Sequence, residues 1–250
     1  MVTMLQIYKI LGVNCLVNAM VLSKLFLHGV KQGDRQLTIL GFAVAALFFF
    51  VTRGQPLPSL SPSKPPSSVL CVQTLLSIAL QFFLHFGTIL LVTEIALSFV
   101  DPYDPSMIPD GPFNPNTLNT CTFLMSVLAT VNTFAVNYRG EPFVEPLTKN
   151  KMLLRTLQVC YGVLLVCALE AFPPLGDLLQ LTEFPNTTIT DESVSWRTKG
   201  YESTLILSTM SDLVETIGFQ AFMCGLMILN TIAAFAIESC ILRIFEPAKA

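Results

Sequence analysis

The sequence predicts an all-α membrane protein with six transmembrane helices and both termini in the cytosol. Charged residues make up 12% of the 250 residues and hydrophobic residues 52%, whereas charged residues are about a quarter of an ordinary soluble chain. The mean hydropathy is +0.64. A chain with so few charges cannot cover a water-facing surface, which excludes a disordered protein and a small secreted scaffold. With 14 basic against 17 acidic residues, a basic nucleic-acid-binding domain is excluded as well.

Six apolar stretches are close to the length that a membrane crossing requires. A transmembrane helix needs about 20 apolar residues to cross the hydrocarbon layer. The second stretch is short, and we expect Asp34, Arg35 and Arg53 at its ends to reach the headgroups. The third stretch is long, and we expect it to tilt. The predicted spans, which form a single transmembrane domain, are residues 4–27, 37–52, 69–99, 118–138, 152–172 and 213–245.

The loops between the spans predict the orientation. Loops after even-numbered spans contain eight basic residues, and loops after odd-numbered spans contain four. The positive-inside rule therefore places the even loops and both termini in the cytosol. The cytosolic loops include a Pro-rich strap at 53–68, predicted to be extended and polyproline-like, with a plain linker as the alternative. The loop 173–212 is then luminal, and it carries the glycosylation candidate Asn186 in an Asn-Thr-Thr sequon.

The sequence contains no motif for soluble catalysis. Its two histidines, His28 and His85, lie in different segments and give no metal-binding spacing. Glycine motifs for phosphate or dinucleotide binding are absent, as is a hydrolase nucleophile elbow. The seven cysteines contain no C-x-x-C pair and are interpreted as buried apolar fillers. We therefore expect no catalytic residue, no metal ligand and no cofactor in this chain.

Polar side chains in the first span are candidates for coupling. Lys9, Asn14 and Asn18 lie at spacings of five and four, so Asn14 and Asn18 share a helix face. Interhelical hydrogen bonding is one interpretation, and a substrate-facing or coupling position is the other. In the fourth span, Asn132 and Asn137 are not at helical spacing. The sequence therefore indicates no common face for that pair.

Two further pairs are candidates for polar contacts between spans. Gln81 and His85 are four residues apart in the third span. An inter-span hydrogen-bonding pair is favoured over a proton relay there, because no acidic residue lies within a helical turn. Asn230 and Glu238 are eight apart, about two turns along one face of the last span. That face is predicted to pack inward, either to form structural contacts between helices or in a functional role.

Four segments resemble the C-terminal membrane region of P-type ATPases of type V, subgroup A. They are LQIYKILGVNCLVNAMVLSKLFLHGVKQGDRQLT, the strap RGQPLPSLSPSKPP, LQFFLHF in the third span and NYRGEPF closing the fourth. The likeness covers residues 2–175 and, more weakly, 226–245. YKILGVN and NYRGEPF are its most specific parts, and the order and spacing of the segments make the resemblance more specific.

The resemblance implies that the chain holds the last six spans of a larger pump. In that family, an upstream part contains the phosphorylated aspartate in a DKTGT motif and the nucleotide-binding domain. ATP and Mg would therefore bind in domains that this chain lacks, and the chain alone should not hydrolyse ATP. Family members reside in the endoplasmic reticulum membrane and act as ATP-driven dislocases. Their substrates are misinserted transmembrane helices, so the expected partners are the lipid bilayer, hydrophobic transmembrane segments and the missing domains.

The resemblance also implies positions for a substrate groove. The second span, residues 37–52, would form one wall of it, together with Asp34, Arg35, Gln36 and Thr38 in its luminal approach. The first span would be continuous with the phosphorylation domain and would transmit its movement, with Lys9, Asn14 and Asn18 as coupling candidates. The last four spans would be scaffold.

Two features depart from the family pattern. The loop 173–212 is longer than expected, and Asn230 stands where an acidic residue is expected. Both indicate a divergent member. The alternative hypothesis is a stand-alone six-span transporter or scaffold without ATPase activity.

Overall fold

Six long apolar helices dominate the structure. The computed structural model describes residues 2–58, 68–100, 105–108, 111–185 and 205–245. The helices long and apolar enough to cross a membrane are α1 (Val2–Leu27), α2 (Asp34–Val51), α3 (Val72–Leu97), α4 (Thr117–Asn137), α5 (Lys151–Ala168) and α8 (Phe219–Phe245). Shorter helices are α6 (Pro173–Leu179), α7 (Leu205–Ile217) and a 3₁₀ turn at Pro105–Met107. The predicted all-α membrane architecture is therefore confirmed, while the cytosolic location of the termini stays a prediction.

The helix bounds differ most from the predicted spans at the last span. The first five helices begin and end within four residues of the predicted bounds, but the sixth begins at Phe219 and not at residue 213. Gly218 has a φ of 88°, a left-handed conformation that interrupts the helix between α7 and α8. The loop predicted at 173–212 is also partly helical, since it contains α6 and most of α7. The glycosylation candidate Asn186 lies outside the described residues.

The centre of the bundle is α4. Nineteen of its 21 residues are buried, and it packs against α1, α2, α3, α5 and α8. Polar side chains lie on all sides of this helix, and several hydroxyls bond its own backbone, as Thr122 Oγ1 does to the Leu118 carbonyl at 2.7 Å and Thr133 Oγ1 to the Ala129 carbonyl at 2.7 Å. Small side chains of this kind let neighbouring helices approach closely.

The surrounding helices bury one side and expose an apolar side. In α1, Val13, Val17 and Val21 recur every four residues and are buried, while Leu22 and Phe26 are exposed. Apolar residues on the outer face are what a bilayer or a neighbouring transmembrane helix requires. The arrangement fits a multi-pass membrane domain.

The start of the first span and the end of the last span lie on the same side of the bundle. Lys9, near the start of α1, pairs with Glu238, near the end of α8. We call this the Val2 side, and the opposite one the Leu27 side.

On the Val2 side, the loop after α2 docks on the loop after α4. Pro56 and Val144 form an isolated β-bridge, and the Glu145 amide donates to the Gln55 carbonyl at 3.0 Å. The Tyr138 hydroxyl donates to the Glu145 carbonyl at 3.1 Å, and burial raises the pKa of Tyr138. The first residues of the predicted strap are therefore held against the membrane domain, whereas residues 59–67 lie outside the described part of the chain.

Candidate functional site

An ion-pair cluster joins four helices near the Val2 side. We define it as Lys9, Ser77, Gln81, Asn137 and Glu238. Lys9 Nζ lies 2.5 Å from Glu238 Oε1. The other carboxylate oxygen accepts from Ser77 Oγ at 2.5 Å and from Gln81 Nε2 at 3.1 Å. Gln81 and Asn137 exchange amide hydrogen bonds at 3.1 and 2.8 Å. The cluster therefore fixes α1, α3, α4 and α8 at one level.

The ion pair is nearly removed from solvent. The exposed fractions of the Lys9 and Glu238 side chains are 15% and 9%. A small cavity of about 50 Å³ lies beside them and is also lined by Gln6 and Arg139. Burial lowers the pKa of Arg139, and the nearby Glu238 carboxylate acts in the opposite direction. Each charge in such a place is stable only while its partner is present.

An amide cluster lies deeper along α3, α4 and α8 and also includes a residue of α5. We define it as His85, Thr88, Asn132, Tyr161 and Asn230. Asn230 Oδ1 lies 3.0 Å from His85 Nδ1 and accepts from Asn132 Nδ2 at 3.1 Å. Asn230 Nδ2 donates to Thr88 Oγ1 at 2.9 Å, and the Tyr161 hydroxyl donates to Asn132 Oδ1 at 2.6 Å. These contacts connect α3, α4, α5 and α8.

The spacing of the polar residues on α3 and α8 explains why there are two clusters. The two helices run in opposite directions. Gln81 of α3 therefore meets Glu238, and His85, four residues later along α3, meets Asn230, eight residues earlier along α8. The structure therefore brings all four inter-span polar candidates into contacts between α3 and α8.

Sequence reasoning missed the contribution of α4. Asn132 and Asn137 are five residues apart, so they point about 140° away from each other around the helix. Because α4 is buried on all sides, each asparagine meets a different cluster: Asn137 bonds Gln81 and Asn132 bonds Asn230. Polar residues on every face of one span were the signal for this central position.

The coupling candidates of α1 do not form one site. Lys9 belongs to the ion-pair cluster. Asn14 is buried, and its Oδ1 has no hydrogen-bond partner among the described residues. Asn18 is half-buried. A second ion pair, between Lys24 Nζ and Glu94 Oε1 at 2.7 Å, ties the other end of α1 to α3.

The groove candidates of α2 face different surroundings. Asp34, Arg35 and Thr38 are exposed, and Thr38 Oγ1 bonds the Asp34 carbonyl of its own helix. Gln36 is fully buried instead. Its Nε2 donates to Asn119 Oδ1 at 2.8 Å, and its Oε1 accepts from the Gly33 amide at 3.1 Å. Gln36 therefore fixes the start of α2 against α4.

An open apolar cavity of about 720 Å³ lies between the end of α1 and the start of α2. It forms because the two helices pack on different neighbours: α1 lies against α3 and α4, whereas α2 lies mainly against α5. The lining residues are Leu22, Ser23, Leu25, Phe26, Leu27, Val30, Lys31, Gln32 and Leu37. Asp34, Arg35, Gln36 and Thr38 are not among them, although they are close in sequence.

No cluster with the composition of a metal site occurs in the described ranges. Nowhere among those residues do three histidine, cysteine, aspartate or glutamate side chains converge. The membrane-level carboxylates Glu238 and Glu94 are each paired with a lysine.

No protein-family model matches the chain, but individual relatives do. The chain is 38% identical over 196 residues to the "Probable manganese-transporting ATPase PDR2" of Arabidopsis thaliana, a match that covers 78% of this chain and 16% of that relative. It is 37% identical over 180 residues to the "Endoplasmic reticulum transmembrane helix translocase" of Saccharomyces cerevisiae, covering 72% and 15%. The chain is homologous to part of the type V P-type ATPases.

Two further relatives extend this finding. The Schizosaccharomyces pombe "Endoplasmic reticulum transmembrane helix translocase" is 35% identical over 183 residues, 73% of this chain and 15% of the relative. The Aspergillus fumigatus "Endoplasmic reticulum transmembrane helix translocase spfA" is 33% identical over 184 residues, 74% and 14%. The resemblance to type V P-type ATPases is confirmed, and the chain spans about one sixth of the length of these curated relatives.

Proposed function

We propose that these six helices are the membrane part of an ATP-driven type V P-type pump that extracts transmembrane helices at the endoplasmic reticulum membrane. Three of the relatives are named for that activity. Because the match covers only about one sixth of each relative, we assign the binding of ATP and Mg to parts of the pump outside this chain. The chain itself supplies the helices that face the bilayer and the substrate.

The apolar cavity between α1 and α2 is the feature that supports this substrate. Its wall is mainly aliphatic and aromatic, with Leu22, Phe26 and Leu37 exposed at its surface. An α-helix with its side chains is about 10 Å wide, so a cavity of about 720 Å³ admits the side chains of one helix face. A guest helix would bind by shape and apolar contact, without a sequence code. Asp34, Arg35 and Thr38 are exposed at the adjoining end of α2, where they would meet the polar end of a guest.

Transport of a divalent cation is supported less well. The Arabidopsis relative is named as a probable manganese transporter, and Mn²⁺ favours carboxylate, carbonyl and water oxygens. The two membrane-level carboxylates named above are each neutralised by a lysine. A cation would have to displace those lysines, whereas an apolar helix needs no free charge.

The ion pairs give α1 a way to transmit movement. Lys9 connects α1 to α8 and, through Glu238, to α3, while Lys24 connects it to Glu94 of α3. We propose that a displacement of α1 by a cytosolic domain moves these helices together and changes the width of the cavity beside α2. An element with two packed arrangements can carry such coupling.

Filling the cavity tests the proposed substrate. In the full-length pump that we propose, the double variant Ser23→Trp with Leu37→Trp should occupy the space for guest side chains. Stimulation of ATP hydrolysis by a hydrophobic transmembrane peptide should fall about ten-fold, corresponding to roughly 1.4 kcal/mol of lost binding, with unchanged basal hydrolysis.

Ile232→Trp is the matched control, because Ile232 is an exposed residue of α8 that does not line this cavity. It should leave stimulation unchanged. Full stimulation of the cavity double variant would contradict helix binding at α2.

Two other results would favour the alternatives. Stimulation of wild-type ATP hydrolysis by Mn²⁺ in the absence of any peptide would favour cation transport. Activity of residues 1–250 expressed alone would favour a stand-alone transporter or scaffold.

A further inference from the structure

A second open cavity, of about 440 Å³, lies on the Val2 side where α2 ends and α5 begins. Three basic side chains line it, Arg53, Lys149 and Lys151, all of them exposed. The remaining lining residues are Phe49, Phe50, Gln55, Glu145, Asn150 and Met152. The cavity therefore combines cations with an apolar floor.

The three cations are available to a ligand. None of them forms an ion pair with another described residue. The Arg53 guanidinium lies 4.5 Å above the centre of the Phe49 ring, which holds its charge at the edge of the cavity. Glu145 supplies the one lining carboxylate, and its Oε1 accepts a hydrogen bond from the backbone amide of Gln55 at 3.3 Å. Three positive charges against one negative charge favour an anionic ligand.

The walls of the cavity are held in place by a buried asparagine. Asn150 caps α5, because its Oδ1 accepts from the Leu153 amide at 3.2 Å. Its Nδ2 donates to the Phe50 carbonyl in the last turn of α2 at 3.0 Å. One side chain thus joins the end of α2 to the start of α5 and sets the distance between their cations. The first turn of α5 adds the positive end of a helix dipole.

The position of the cavity indicates where its ligand comes from. Both α2 and α5 are long and apolar enough to cross a membrane, and we place the membrane surface at the level of their ends, Val51 and Lys151. Phe49 is 51% exposed and Met152 is 55% exposed, and both lie beside the cations. Cations above exposed apolar side chains at this level match a lipid, with its headgroup among the charges and its chain against the apolar surface.

We propose that this cavity binds the phosphate headgroup of an anionic phospholipid. Arg53, Lys149 and Lys151 contact the phosphate oxygens, and Phe49 and Met152 contact the start of an acyl chain. The lipid cavity shares no lining residue with the cavity between α1 and α2, so lipid binding here does not depend on whether that cavity binds a guest helix.

Lipid retention tests the proposal. The purified protein is placed in phosphatidylcholine nanodiscs that contain phosphatidic acid, and native mass spectrometry counts the phosphatidic acid retained. Each cation near a membrane surface contributes about 1 kcal/mol, or roughly five-fold in affinity. The triple variant Arg53→Gln, Lys149→Gln, Lys151→Gln should therefore weaken retention about 100-fold.

Two single variants make this result specific. Arg155→Gln removes an exposed cation from the next turn of α5, outside the cavity lining, and should change retention less than two-fold. Glu145→Gln keeps an oxygen for the Gln55 amide while removing the negative charge, and should strengthen retention about five-fold. Loss of folding cannot produce that gain.

Three outcomes would overturn the proposal. Equal retention by wild type and the triple variant would show that the cavity does not bind the lipid. Displacement by millimolar glycerol 3-phosphate as readily as by phosphatidic acid would assign the cavity to free phosphates. A triple variant that keeps its lipid but loses ATP hydrolysis in the full-length pump would assign the cations to contact with a protein domain.

Discussion

Glu238→Gln is expected to destabilise the membrane domain by about 3–5 kcal/mol, because it leaves the charge of Lys9 buried without a counter-charge. The glutamine oxygen can still accept from Ser77 and Gln81, whose bonds to Glu238 measure 2.5 and 3.1 Å. The expected loss therefore reports the missing negative charge and not the missing hydrogen bonds. Thermal or chemical unfolding of the purified protein in detergent measures it.

Two comparison variants isolate the effect of burial at Glu238. Glu94→Gln breaks the second ion pair, whose side chains are 20% and 27% exposed, and should cost about 1 kcal/mol or less. The double variant Lys9→Met, Glu238→Met removes both charges and should recover most of the loss. If the double variant is as unstable as Glu238→Gln, the instability does not come from an uncompensated charge.

Gly140→Ala is expected to cost about 3 kcal/mol or more by forcing apart the loop between α4 and α5. A Cβ at Gly140 would lie 2.6 Å from Pro146 Cα and 2.7 Å from the Glu145 carbonyl oxygen. Both are backbone atoms, so the clash cannot be relieved by a side-chain rotation. The loop that carries Glu145 and the bridge to Pro56 would have to move. Unfolding measurements report the loss of stability.

The matched control for this prediction is Gly162→Ala. Gly162 lies inside α5, and a Cβ there would meet nothing within 4 Å. Alanine in a helix interior should stabilise by about 0.5–1 kcal/mol relative to glycine. Opposite signs for the two substitutions are therefore expected. A destabilisation at Gly162 equal to that at Gly140 would contradict the role assigned to the close backbone contact.

The sequence was sufficient to predict the spans because each has to be apolar along most of its length. Helical spacing also made Gln81, His85, Asn230 and Glu238 candidates for contacts between spans, because it assigns each pair to a shared face. Which helices meet was not predictable from spacing. Helical periodicity indicates which residues share a face, but it does not indicate which helix packs against that face.

Three features of the structure were not predicted from the sequence, each for a physical reason. The five-residue spacing of Asn132 and Asn137 excludes a common face, but a helix surrounded by others uses all its faces. Gln36 follows two exposed charged residues, yet the helix turn directs it inward to Asn119. The break at Gly218 depends on a left-handed backbone conformation, which an apolar stretch does not reveal.

The most direct test of helix binding beside α2 is site-specific photocrosslinking in the full-length pump. A benzophenone amino acid replaces Leu37, which lines the cavity, or Ile232, which is exposed on α8 away from it. With a hydrophobic transmembrane segment in the same membrane, we expect a crosslink from position 37, its loss after ATP addition, and none from position 232. Equal crosslinking from both positions, or crosslinking from position 232 alone, would contradict a substrate groove between α1 and α2.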